Sequence, residues 1–249
     1  MRLRLIAVGC ALTGALGPLA LPATPATASV NAAAGPVKPR ISVSSPVTDN
    51  PYGAKITIAV TLSPTSTNRT VSLYAAPYGA PRRLVATGNV NAAGKWYPTY
   101  TITRTTTFTA FFAGDGRDAP NWASRTLNAY ARVTGRLAGY YRTAKSSAGV
   151  LYRVYRDTGT LTLDSTVTPN KHGECLEPET QQYDAGTGWH ADNKYGCDKL
   201  DAASHDSAPF TLSQAVSGRY RIRGDYRRGA RDTANLSSQG PWLYFVVTK

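Results

Sequence analysis

The chain has 249 residues, with 28 Lys and Arg against 15 Asp and Glu, a net charge of +13 at pH 7. Past residue 28 no apolar run reaches the roughly 20 residues that a membrane span needs, which excludes a spanning helix from the mature chain. The positive balance favours acidic partners such as nucleic acid, teichoic acid or anionic polysaccharide, and also serves solubility.

Residues 1–28 read as a signal peptide. Arg2 and Arg4 supply the positive start, an apolar run follows from Leu5 to Leu21, and Ala26-Thr27-Ala28 fits the small-residue cleavage rule. Cleavage is expected before Ser29, so the product is expected to be secreted and extracellular. Gly9, Gly14, Gly17, Pro18 and Pro22 interrupt the run, which argues against an anchor. Too few apolar residues precede Cys10 for a lipidation signal. Residues 29–40 read as a proline-containing linker.

Strands follow. In AKITIAVTL, Ile56, Ile58, Val60 and Leu62 alternate with Lys55, Thr57, Ala59 and Thr61, the period of a half-buried strand. RTVSLYA repeats it with Val71, Leu73 and Ala75. RRLVATGNV and KWYPTYTIT are separated by a turn that ends in Gly94. TTTFTAFFAGDG places Phe108, Ala110 and Phe112 on one face, and NWASRTLNAYARV closes the segment. Short strands at this spacing, with no helical period, predict a β-sandwich over residues 41–133.

These residues carry a resemblance. YGAKITIAVTL, RTVSLYA, LVATGNVNAAGKW and above all the run from Phe108 to Asp115 resemble a bacterial immunoglobulin-like domain of secreted actinobacterial proteins. The resemblance covers about Ile41 to Val133. It implies an immunoglobulin-like sandwich that acts as a spacer or adhesion module. The Cys pair and core Trp arrangement of antibody domains is missing here, so nothing about antigen-type loops carries over.

Residues 137–249 predict a second antiparallel β-sandwich. VLYRVYR and GTLTLDSTVTP read as a hairpin turning at Asp157–Gly159, ECLEPETQQYDAG as a strand, and the stretch on to Leu200 as a long polar loop. APFTLSQAV, GRYRIRGDY and PWLYFVVTK complete the set. Trp242 to Val247 is apolar on both faces, as suits a central strand. The fold class expected is therefore all-β, in two tandem sandwiches joined by a short link near Val133–Leu137. Cys175 and Cys197, the two cysteines after the signal, are expected to form a disulfide in an oxidising compartment. It would close a loop of about 22 residues and contribute about 3 kcal/mol.

GRYRIRGDYRRGARD, Gly218 to Asp232, is the most charged stretch. Read as a strand, it sends Tyr220, Ile222 and Gly224 to one face and Arg219, Arg221, Arg223 and Asp225 to the other. With Arg227, Arg228 and Arg231 the arginines could grip a phosphate or carboxylate polymer, or simply form a solvated face. Arg223-Gly224-Asp225 falls within a strand and not on a protruding loop, which argues against adhesion-receptor recognition.

Neither a G-x-S-x-G elbow, an H-E-x-x-H helix, a Walker loop nor a G-x-G-x-x-G turn is present. No catalytic residue, metal ligand or cofactor is predicted. Aromatic side chains give a second route to binding, by stacking on sugar rings. Trp96, Tyr97, Tyr100, Trp122, Tyr183, Trp189 and Tyr195 are candidates, with Trp96 and Tyr100 expected to be buried. Trp189, placed in the polar loop, is the favoured exposed one. Asn68-Arg69-Thr70 and Asn235-Leu236-Ser237 have the form of glycosylation sequons and read as incidental.

The function expected is a secreted, non-catalytic binding or structural module for an extracellular or cell-wall polysaccharide or other anionic polymer. Its site would be Trp189 with Arg219, Arg221, Arg223, Arg227 and Arg228. A secreted protein partner is a second possibility, and no specific nucleic acid is expected. The competing expectation is a small hydrolase or protease-inhibitor-like effector that uses His190, Asp192 and the Cys175–Cys197 loop.

Overall fold

The computed structural model describes residues 35–64 and 69–249. The signal peptide, the first part of the linker and Asn68 of the first sequon lie outside the described residues. All regular structure within them is β-strand, and no helix is long and apolar enough to cross a membrane.

Ten strands cover the described residues of the first half: β1 (Arg40–Ser44), β2 (Asp49–Asn50), β3 (Ala54–Thr57), β4 (Ala59–Ser63), β5 (Thr70–Pro77), β6 (Arg83–Asn89), β7 (Lys95–Trp96), β8 (Thr99–Ile102), β9 (Thr106–Phe112) and β10 (Asn121–Ala129). One sheet has the order β2-β10-β9-β5-β6, a second β1-β4-β7, and β3 pairs with β8. The period-two residues meet between them. Ile58, Val60, Leu62, Val71, Leu73, Ile102, Phe108, Ala110 and Leu127 form one buried cluster. Trp96 and Tyr100 pack against it, as expected, and Gly94 turns the chain at a positive φ.

Trp96 explains one glycine. Gly88 on β6 sits opposite Val71 and shares its inward face, and a Cβ there would overlap the Trp96 indole. Gly88→Val is expected to destabilise the chain by about 1–3 kcal/mol through overpacking, read as a lower denaturant midpoint.

Eleven strands form the second half: β11 (Arg132–Ala138), β12 (Arg142–Lys145), β13 (Leu151–Arg156), β14 (Thr160–Thr168), β15 (Cys175–Asp184), β16 (Gly188–Lys194), β17 (Asp198–Lys199), β18 (His205–Thr211), β19 (Gly218–Arg227), β20 (Ser238–Gln239) and β21 (Leu243–Thr248). One sheet runs β11-β14-β18. The other runs β12-β13-β21-β19-β15-β16, with β17 on β15 and β20 on β19. Leu161, Leu163, Tyr220, Ile222, Phe245 and Val247 are buried between them. The disulfide Cys175–Cys197 is formed. It ties the start of β15 to the segment that returns after β16.

Three expectations change. The Asp157–Gly159 turn does not make a hairpin, because β13 pairs with β12 and β21 while β14 pairs with β11 and β18. The chain crosses from one sheet to the other there. The polar stretch before Leu200 is not a loop. It contains β16, which pairs with β15 from Asp184–Gly188 to Glu179–Lys194. Residues 133–137 are not a link but the middle of β11. Central placement of β21, between β13 and β19, agrees with its two apolar faces.

A loop after β19 returns to the first half and closes a buried polar network. Thr105 N donates to Ala234 O (2.7 Å), and Leu236 N to Ala129 O (2.8 Å). Asn235, 0% exposed, donates through Nδ2 to the carbonyls of Thr103 (3.0 Å), Tyr130 (3.2 Å) and Ala129 (3.4 Å). Its Oδ1 accepts from Lys171 Nζ at 3.0 Å. Lys171, also buried, pairs with Asp232 at 2.7 Å, and the Tyr226 hydroxyl donates to the same carboxylate. Burial opposes the charge on Asp232, but the bonds from Lys171, Tyr226 and the Ala234 N–H outweigh it and hold the carboxyl below its ordinary range.

Candidate functional site

β19 orients its side chains as the alternation requires. Tyr220 and Ile222 are buried, while Arg219, Arg221 and Arg223 lie on the opposite face. That face is a ladder of guanidinium groups and rings. Arg219 stacks 3.8 Å from the Tyr183 centroid. Arg221 lies between Trp189 (4.7 Å) and Trp242 (4.4 Å), and Arg223 is 4.3 Å from Trp242.

Three arginines of this stripe, Arg221, Arg223 and Arg227, already donate within the protein. The neighbouring strand β15 sets Gln181 opposite Arg221, Glu179 opposite Arg223 and Cys175 opposite Arg227. Arg221 Nε donates to Gln181 Oε1 at 2.8 Å. Arg223 donates to Glu179 (2.8 Å) and Gln239 (3.0 Å). Arg227 donates to Glu177 at 2.9 Å. Arg228 is exposed beyond the strand, where its backbone N–H donates to Ser237. The stripe is thus brought together as a face, and within it Arg223 and Arg227 are met by carboxylates of the neighbouring strand.

Asp225 of the Arg-Gly-Asp triplet is 1% exposed. Neither carboxylate oxygen has a hydrogen-bond partner, although Arg223 Nε approaches within 3.0 Å. Burial raises its pKa despite that cation. A carboxyl whose folded-state pKa exceeds its unfolded value binds protons better in the fold, so stability falls as pH rises from about 4 through the raised value. Asp225→Asn is therefore expected to raise the melting temperature at about pH 7 and leave it unchanged at about pH 3, in thermal unfolding at both.

Trp189 is not the exposed platform. It lies on β16, half-buried, with Tyr183 and Tyr244 against its ring at 5.2 and 5.6 Å besides Arg221. His190 and Asp192 lie on the same edge strand. Asp192 accepts the Thr180 hydroxyl at 2.9 Å, and the two are not hydrogen-bonded to each other.

The exposed tryptophan is Trp122, at 64%. β10 sets it opposite Phe111 of β9, and β5 sets Tyr74 opposite Thr109. Strand alternation puts these rings on the outer face of the five-stranded sheet, away from Phe108, Ala110 and Phe112. Tyr74, Arg82, Thr109, Phe111 and Trp122 line a shallow depression of about 340 Å³. Arg82 covers one flank, 4.7 Å from the Tyr74 centroid. Hydroxyl pairs continue the face, Ser72 with Thr87 (3.2 Å) and Thr107 with Thr126 (2.8 Å). No carboxylate lines the depression. The sequence carried a signal for this: in NWASRTLNA, Trp122 is in phase with Ser124 and Thr126 and out of phase with Leu127 and Ala129.

The chain matches no protein-family profile and no curated protein. Among solved structures it is similar to a tetra-tandem repeat from the extending region of a large adhesion protein, at TM-score 0.34 and 16% identity over 82% of this chain and 49% of that one. It is also similar to the D0-D1 domain of intimin, at 0.29 and 14% over 82% of this chain and 97% of that one. A third is the native conformation of Escherichia coli alpha-2-macroglobulin, at 0.29 and 8% over 85% and 14%. The chain spans about half the length of the first of these.

Proposed function

We propose that this is an exported, non-catalytic binding module that holds a neutral polysaccharide on Trp122, Phe111 and Tyr74. The exposure of Trp122 on a sheet face carries the reading. An indole left in water on a rigid strand costs no reorganisation on binding, and its face matches the C–H face of a pyranose ring. The surrounding Ser and Thr hydroxyls supply hydrogen bonds suited to an uncharged polyol. Export is supported by the signal-like start and by the disulfide, which persists in oxidising compartments. In this reading residues 41–133 form an immunoglobulin-like domain that carries the site, and residues 137–249 form a second domain. The arginines of β19 are a weaker choice, because Arg221, Arg223 and Arg227 already donate within the protein.

The experiment is retention of the chain Ser29–Lys249 on insoluble chitin, cellulose and peptidoglycan. The wash is about 1 M salt, where the Debye length is about 3 Å and surface charge is screened. Retention on a neutral polymer that survives the wash is expected. Release from all three by salt would overturn the reading.

A further inference from the structure

We propose that the β12–β13 edge is a second binding site, for a linear polyanion recognised through its phosphate or sulfate oxyanions. Residues 140–156 carry Arg142, Lys145, Arg153 and Arg156 and no Asp or Glu. Among the described residues none of the four pairs with a carboxylate, nor does the neighbouring Asp157 pair with any cation. They differ in this from Arg223 and Arg227 of β19, which each have a Glu within 2.9 Å.

Rings hold these guanidinium groups in place of acids. Arg142 and Arg156 lie 5.6 and 5.2 Å from the Tyr141 centroid, and Arg153 lies 4.8 Å from that of Tyr140. A ring engages a guanidinium by its face and leaves the N–H fork free for an oxyanion. Among the described residues the fork donors of the three make one side-chain hydrogen bond, from Arg142 Nε to the Tyr141 hydroxyl at 3.3 Å. Thr248 lies 3.3 Å from the same hydroxyl. The hydrogen bond with Thr248, then that from Arg142, and to a lesser degree the charges of Arg142 and Arg156, hold the Tyr141 phenol below its usual pKa.

The register sets the cations on both faces of the sheet edge. Arg142 is opposite Val154, so Arg142 and Arg156 share a face, and Arg153, opposite Thr143, takes the other. β12 is the outermost strand, so the cations straddle a sheet edge that a polymer can follow. Charge on an edge also blocks strand-to-strand aggregation, and the test separates that role from recognition.

The affinity of the chain Ser29–Lys249 for heparin and for inorganic polyphosphate is measured across a salt series, with polyglutamate as the carboxylate control. The triple variant Arg142→Ala, Arg153→Ala, Arg156→Ala is compared with Arg219→Ala, Arg228→Ala, Arg231→Ala, which removes the same charge elsewhere. The edge variant is expected to lose about tenfold or more, with a salt slope reduced by about 2, and the second triple to lose far less. Lysine at the three edge positions is expected to restore the salt slope but only part of the affinity, because the fork is absent. Preference for heparin or for polyphosphate identifies sulfate or phosphate as the source. Equal losses from the two triples, equal binding of polyglutamate, or binding of anionic lipid vesicles with neither polymer retained would overturn the proposal. Trp122→Ala leaves this binding unchanged, so the two sites fail or stand separately.

Discussion

Asn235→Ala is expected to lower the stability of the chain by about 3–5 kcal/mol, the largest effect among single side chains outside the apolar cores. The side chain is completely buried and serves two groups of partners. Its Nδ2 donates to three backbone carbonyls of the first half, and its Oδ1 accepts from the buried Lys171 ammonium. Alanine removes all four contacts and leaves the carbonyls of Thr103 and Tyr130 short of a donor, while that of Ala129 keeps the bond from the Leu236 N–H. An unsatisfied buried polar group costs about 1–3 kcal/mol, and more when charged. Lys171 keeps Asp232 at 2.7 Å, which limits the loss. The measurement is the urea midpoint of the variant against wild type. Asn235→Asp serves as control, since it keeps the shape and the bond from Lys171 but cannot donate to the carbonyls. Loss of less than about 1 kcal/mol in Asn235→Ala would mean that the clasp between β19 and the first half does not hold the fold.

Trp122→Ala is expected to reduce affinity for the retained neutral polymer by about 30-fold or more, the scale of a lost aromatic anchor of about 2 kcal/mol. Stability is expected to move by less than about 0.5 kcal/mol, because the ring is exposed and covers little of the core. Binding and stability therefore separate at this residue, unlike at Trp189, whose removal strips the stacking from Arg221 and the edge contacts from Tyr183 and Tyr244. Trp189→Ala is expected to act on stability and to leave glycan affinity in place.

Local periodicity made the strands legible, and in β19 it also assigned the faces, because side-chain direction in a strand depends only on parity. The disulfide was legible from the pair of cysteines that follows residue 28. Strand partners were not. The turn at Asp157–Gly159 has hairpin chemistry, yet its flanking strands join different sheets, a choice made by packing and not by the turn. Asn235 shows the same limit. Nothing in Asn-Leu-Ser distinguishes a glycosylation acceptor from a buried clasp, and its partners Thr103 and Tyr130 lie 132 and 105 residues away. Trp122 was within reach of parity. Trp189 would be exposed on a polar loop, but on β16 it packs against Arg221 of the arginine ladder.

The most direct test of the proposed glycan-binding role of Trp122 is intrinsic tryptophan fluorescence during titration with soluble oligosaccharides of the retained polymer. Of the four tryptophans, Trp122 alone is largely exposed. A saturable blue shift is predicted for the wild-type chain and for Trp189→Ala, with no shift in Trp122→Ala. A shift that persists in Trp122→Ala, or that disappears in Trp189→Ala while Trp122 is intact, would contradict the account.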